Sequence, residues 1–172
     1  MVGFLGRLDR ELFARVARGR TPLDPVLRPL SRAADHSVLW IVVAAGLQAG
    51  RSRSLRRAGR RGVAAIAVAS FLANQVGKRA FGRSRPVLDG VPMARVARRL
   101  PASSSFPSGH AASAAAFAVA AGLEAPVLAV PLGLTAATVA YSRVHTGVHY
   151  PSDVLAGAFI GVAVGLIVPL SL

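Results

Sequence analysis

The chain has 172 residues, 21 Lys and Arg against 7 Asp and Glu for a formal net charge of +14, 53% hydrophobic residues and no cysteine. The length suits one domain with a real core, and the missing cysteines exclude disulfides and thiolate metal sites. A mean hydropathy of +0.50 beside so much positive charge argues against a soluble globule and for a membrane protein whose arginines sit between neutral spans.

The amino-terminal stretch "MVGFLGRLDRELFARVARGR" interleaves Phe4, Leu5, Leu8, Leu12, Phe13 and Val16 with Arg7, Arg10, Arg15 and Arg18. Its apolar run is too short for a signal peptide. The pattern predicts an amphipathic helix lying in the membrane interface, within a segment 1–36. Five uncharged stretches follow: Ser37 to Gly50, Gly62 to Gly77, Gly109 to Leu123, Ala125 to Ser142 and Val154 to Leu172. They predict an all-α integral membrane bundle of about five transmembrane helices over 37–172. Only the last two approach the ~20 apolar residues of a full crossing. At the ends of the others, arginines are expected to lay their stems along apolar surface and lift their charges to the lipid phosphates. A soluble bundle would instead carry charged residues at helical spacing inside each stretch.

The segment "RSRSLRRAGRR", Arg51 to Arg61, holds six arginines and no acid. As a loop it belongs on the cytoplasmic side by the positive-inside rule. Successive crossings then bring Lys78 to Pro86, Pro107 to His110 and Arg143 to Asp153 to one extracytoplasmic face of a multi-pass cell-membrane protein. The seven basic residues between Lys78 and Ser108 run against the rule on that face, and an anionic substrate held there would offset them. Nucleic acid is not the expected partner, because there is no reading motif and no aromatic platform. Anionic lipid head groups in the bilayer account for the arginines more simply.

Those three stretches carry the chemistry. Lys78, Arg85 and Arg143 are fixed cations, and His110, His149 and Asp153 titrate. Arginine's planar fork binds phosphate oxygens in pairs, and a cationic cage stabilises the extra charge of five-coordinate phosphorus. In "PSGH" the proline and serine open a helix, so backbone N–H groups near Ser108, Gly109 and His110 form an anion site at its positive end. His149 lies four residues before Asp153, a spacing that lets a carboxylate hold one ring nitrogen and frees the other to attack phosphorus. His110 is the candidate acid for the departing alkoxide. Plainer roles stand beside these: Ser108 and Ser152 as helix caps, Asp153 as a dipole partner, and His36 and His145 as supporting residues. A metal is not expected, because two histidines and an aspartate inside a ring of cations would set it among like charges. Gly157, Gly161 and Gly165 suit close helix packing.

The chain resembles the type 2 phosphatidic acid phosphatase family on three motifs in order: "KRAFGRSRP" from Lys78 to Pro86, "PSGH" from Pro107 to His110, and "SRVHTGVHYPSD" from Ser142 to Asp153. The resemblance implies a metal- and cofactor-free lipid phosphatase with His110 as general acid, His149 as the nucleophile forming a phosphohistidine, and Asp153 orienting it. It also implies phosphate binding by Lys78, Arg85, Ser108, Gly109 and Arg143, with polyprenyl phosphates or diphosphates or phosphatidate as the substrate class. "RAADHSVLW" and the compact spans look like the phosphatase half of actinobacterial proteins fused to a diacylglycerol kinase domain. Membrane members commonly have six crossings, so the first appears here in altered form, as the amphipathic helix. The rival expectations are a vanadate-dependent haloperoxidase-like enzyme sharing the anion cage, and a non-catalytic lipid-binding or transport member of the fold. An oligomer is compatible with the sequence.

Overall fold

The computed structural model describes residues 4–92, 96 and 102–169. Among them the regular structure is entirely helical: α1 (Phe4–Arg18), α2 (Asp24–Ala33), α3 (Val38–Ala49), α4 (Arg53–Phe71), the single turn α5 (Lys78–Ala80), α6 (Gly109–Glu124), α7 (Ala129–His145) and α8 (Pro151–Ile167). The all-α architecture expected from the sequence is therefore the one observed. Arg95, Arg98 and Arg99, and the end of the last stretch at Leu172, lie outside the described residues.

Helix α6 is the axis of the bundle and packs against α4, α7 and α8. Small residues make this possible. Ala111, Ala112, Ala114, Ala116, Ala120 and Ala121 are all buried, and α8 presents glycines to them. A Cβ on Gly157 would stand 2.2 Å from the Ser108 carbonyl oxygen, and one on Gly161 2.3 Å from that of Ala112. The glycine stripe is thus an internal seam that brings two backbones together. A second layer forms where Trp40 of α3 meets Phe117 of α6, ring centroids 5.3 Å apart. Gly62 of α4 leaves the room that the Phe117 ring fills.

The outer surfaces of these helices are apolar. Val127, Val130 and Leu134 before and on α7, Leu155 and Phe159 on α8, and Ile41 and Val42 on α3 are all exposed, a belt that suits lipid rather than water. By length and composition the run Pro126–His145 is able to cross a membrane. So is the bent pair Asp24–Ala33 with Asp35–Ala49 if it counts as one broken span, while Pro151–Ile167 is apolar but shorter.

Three sequence expectations change. The amino-terminal segment is two helices rather than one, broken after Arg18 around Gly19 and Pro22 and restarted with Pro25 in the first turn of α2, where proline's fixed φ and missing N–H are tolerated. The arginine-rich stretch is not a loop from Arg53 onward but the first turns of α4, as arginine's good helix propensity allows. Arg61 does not reach for lipid. It is buried, with Nε donating to the Val168 carbonyl at 3.0 Å and Nη2 to that of Gly165 at 3.2 Å. It thereby satisfies carbonyls left open at the end of α8.

The helices alternate in direction, so the ends of α4, α7 and the starts of α3, α6 and α8 share one end of the bundle. The arginine-rich start of α4 lies at the other. Between α2 and α3 the chain bends by 66° through Asp35–Ser37, with His36 and Ser37 both left-handed at φ 52° and 62°. Consecutive non-glycine residues in that region are strained.

Candidate active site

At that common end a cleft of about 1080 Å³ opens, and its lining includes Lys78, Arg85, Gly109, His110, Arg143 and His149. Three stretches separated by tens of residues thus meet in one space. Local structure sets each of them. Helix α4 finishes in a π-helical turn, Leu72–Gly77, which delivers Lys78 to the rim; such turns recur at functional sites. Lys78 Nζ lies 3.3 Å from Ser103 Oγ. Arg85 is held by the carbonyls of Val148 at 2.9 Å and Ser103 at 3.1 Å. Arg143, in the last turn of α7, is buried and donates to Ser31 Oγ at 2.7 Å.

Ser108 and Asp153 stand behind the cleft rather than in its wall. Ser108 caps α6, its Oγ accepting from the Ala111 N–H at 3.4 Å, while its own N–H donates to the Asp153 carbonyl at 2.9 Å. The amides of Gly109 and His110 follow in the first turn of α6, where backbone N–H groups lack intrahelical partners. The space above Gly109 is filled by Asn74, whose Oδ1 would lie 2.7 Å from a Cβ there. Glycine is required at this point for packing.

Asp153, in the first turn of α8, is fully buried and densely held. Its Oδ1 accepts from Arg83 Nη1 at 2.7 Å, and its Oδ2 accepts from the Tyr150 N–H at 2.9 Å and from the Ser105 hydroxyl. His149 Nδ1 is 3.6 Å from Oδ2, a separation that substrate binding closes in many hydrolytic sites. Nδ1 facing Asp153 leaves Nε2 for the cleft. Burial, reinforced by the charges of Arg143 and Arg85, pushes His149 down to about 4 against the opposing pull of Asp153. Its imidazole is therefore neutral near pH 7 and keeps the lone pair a nucleophile needs. Burial also lowers Lys78, with Arg85 and Arg143 adding to the effect, and lowers Arg85 against the pull of Asp153.

Several residues in or around the site escaped the sequence reading. Asp35, from the strained turn, lies 2.8 Å from His110 Nε2 and 3.5 Å from Arg143 Nη1. Arg83, inside the first motif, bridges Asp153 to Asp9 of α1 at 2.5 Å and lies over the Tyr150 ring at 4.3 Å. Asp9 also accepts from the backbone and hydroxyl of Ser152, at 2.9 and 2.6 Å. His145, which the sequence already offered as a supporting residue, is buried against the amino-terminal helices, 3.0 Å from Asp24. A signal for these was present. In a chain with only 7 acids, Asp9, Asp24, Asp35, Glu124 and Asp153 each face a basic side chain. Among the described residues no group of three His, Asp or Glu is placed to share a metal ion.

A sequence profile of the PAP2 superfamily matches residues 61–172, the span that carries all three motifs. The chain belongs to the PAP2 superfamily. A PAP2 relative, the decaprenylphosphoryl-5-phosphoribose phosphatase of Mycobacterium tuberculosis, is 37% identical over 148 residues, 82% of this chain and 76% of its own. The LpxE of Aquifex aeolicus, solved by crystallography, superposes with a TM-score of 0.72 at 28% identity and covers 93% of each chain. The transmembrane PAP2-type phosphatidylglycerolphosphate phosphatase of Bacillus subtilis gives the same TM-score of 0.72 at 23% identity, covering 95% of this chain and 84% of its own; at that identity it speaks for the fold. The PAP2 chain described here is accordingly a membrane protein and a phosphoric ester hydrolase.

Proposed function

We propose that this PAP2 enzyme removes a phosphate from a membrane lipid by way of a phosphohistidine on His149, without a metal. The observation that carries the reading is the convergence of two imidazoles and three fixed cations on one cleft, with a buried carboxylate behind the nucleophilic one. The phosphate sits among Lys78, Arg85 and Arg143 and the amides of Gly109 and His110. Ser108 supports it as the cap that aims those amides. Nε2 of His149 attacks phosphorus, forming the P–N bond as the P–O bond to the lipid alkoxide breaks, and Asp153 stabilises the imidazolium that results. His110 gives the alkoxide its proton. The same imidazole then takes a proton from water as the water oxygen attacks phosphorus, the P–N bond breaks, and inorganic phosphate leaves. The cationic cage acts on the charge that grows at phosphorus in both steps.

The substrate class is a prenyl-linked or glycerolipid phosphate, and the relative's name favours a prenyl carrier. The apolar belt supports a multi-pass arrangement of α3, α4, α6, α7 and α8 with 1–36 as an interfacial segment at the cleft end, and the arginines from Arg51 to Arg61 support an extracytoplasmic site. The belt counts against a haloperoxidase-like reading, and the full complement of motif residues against a non-catalytic one. Purified protein in non-ionic detergent should release inorganic phosphate from a prenyl phosphate in the presence of a strong chelator, and His149→Ala should abolish release. Activity lost to the chelator and regained with a divalent cation would overturn the metal-free route.

A further inference from the structure

Nothing in the three motifs explains Asp9. It lies on α1, an amphipathic helix whose outer face exposes Phe4, Leu5, Leu8 and Leu12. An acid on such a helix is expected among the exposed arginines, as Glu11 is. Asp9 instead faces inward with Phe13 and Ala17 and is 7% exposed. A buried carboxylate is costly unless its partners are well placed. Here Oδ2 accepts from Arg83 Nη2 at 2.5 Å and from the Ser152 hydroxyl at 2.6 Å, and Oδ1 accepts from the Ser152 N–H at 2.9 Å.

Both partners adjoin Asp153. Ser152 and Asp153 follow Pro151 in the first turn of α8, so the amide that Asp9 takes is one of those left open at a helix start. Holding it fixes the turn that carries Asp153. Arg83, meanwhile, is divided between two carboxylates. Its Nη1 donates to Asp153 Oδ1 at 2.7 Å and to Ser152 Oγ at 2.6 Å, while Nη2 goes to Asp9. Paired with Asp153 alone, the guanidinium would be free to turn its whole fork on that carboxylate, in the two-point geometry arginine favours, and to cancel its charge. With Asp9 on the other side, two acids share one arginine and the group keeps a net negative charge. That charge is matched when His149, whose Nδ1 is 3.6 Å from Asp153 Oδ2, becomes an imidazolium.

We propose that Asp9 is a positioning residue for the nucleophile: from α1 it holds Arg83 and the start of α8 so that Asp153 keeps its charge for His149. This rests on the phosphohistidine reading and adds to it a residue outside the stretch 61–172 that matches the family. Asp9 is not among the residues that line the cleft. Its effect therefore falls on transfer to His149 rather than on phosphate binding, and it is the same whatever the leaving group.

The test uses the full chain in non-ionic detergent, in excess over substrate and at saturating concentration, with a prenyl phosphate and an activated aryl phosphate. It follows release of the first product, alcohol or phenolate, through a single turnover. That rate constant reports cleavage of the P–O bond and does not depend on the fraction of protein that is folded. In Asp9→Asn it should fall about tenfold on both substrates, while inhibition by inorganic phosphate stays close to that of the parent. An unchanged rate constant would overturn the proposal and leave Asp9 as an anchor for α1. Loss on the prenyl phosphate alone would overturn it by placing the effect at His110, and inhibition by phosphate weakened to the same degree would overturn it by placing the effect at the cage. If Asp9→Asn does not fold, Ser152→Ala removes the hydroxyl between Asp9 and Arg83 and leaves the backbone bond. It should show the same pattern at about threefold, and no loss there would overturn the proposal. Failure of the unsubstituted protein to release either product would instead count against the phosphatase reading itself.

Discussion

Asp35 reaches His110 Nε2 at 2.8 Å from a segment that none of the three motifs includes. A carboxylate at this distance orients the ring and helps it carry a proton, and the adjoining left-handed pair at His36 and Ser37 is the kind of local strain that tertiary structure maintains at working sites. The groups that face His110 are Asp35 from the turn, Arg143 from α7 and Lys78 from α5; Asp35 is the acid among them. The consequence is specific to the leaving group. Asp35→Asn should reduce kcat on a lipid alkyl phosphate about tenfold or more, and much less on an activated aryl phosphate, whose phenolate leaves without a proton. A merely structural role for Asp35 would lower both alike, so the ratio of the two rates is the measurement to make.

The elements show which part of this design is legible in a sequence. Neutral runs announced the helices, and three motifs announced residues that meet at the cleft, because both kinds of signal are local. The starts and stops were less readable. The first turns of α4 hid inside an arginine run, since arginine serves a helix as well as a loop, and Arg61 looked like a lipid-facing charge until its carbonyl partners on α8 were known. Asp35 belongs to the site only because the chain bends between α2 and α3, a tertiary event with no periodic trace. The glycines of α8 were legible as packing, and their contacts now give magnitudes. Gly157→Ala places a Cβ 2.2 Å from the Ser108 carbonyl oxygen, backbone that cannot rotate aside. Overpacking of this kind costs about 1–3 kcal/mol, and it pushes the α8 segment bearing Asp153 away from the "PSGH" turn. Thermal unfolding in detergent should show a lower Tm, with a fall in kcat to match. Gly133→Ala in α7 meets nothing within 4 Å and should hold or raise Tm, since alanine is the better helix former by about 1 kcal/mol. A Gly157→Ala protein as stable as the parent would show that α6 and α8 do not approach so closely.

For the molecule as a whole, the fold separates two kinds of positive charge. One end of the bundle carries the arginines of early α4, and the other carries the cations of the cleft, with an apolar belt between them. On the proposed function only the first group is free to obey the positive-inside rule, because the second would be held by substrate. This makes sidedness a consequence of chemistry and gives it a clean test. The chain has no cysteine, so an introduced one is the sole thiol. Ser54 at the arginine end and Ser84 in the first motif are both exposed. In intact cells a membrane-impermeant maleimide should label Ser84→Cys and spare Ser54→Cys, and permeabilised cells should give both. The reverse pattern would turn the protein over in the bilayer and put the phosphate cage on the cytoplasmic side. Labelling of both in intact cells would remove the bilayer from between the two ends, and with it the reason the arginines lie where they do.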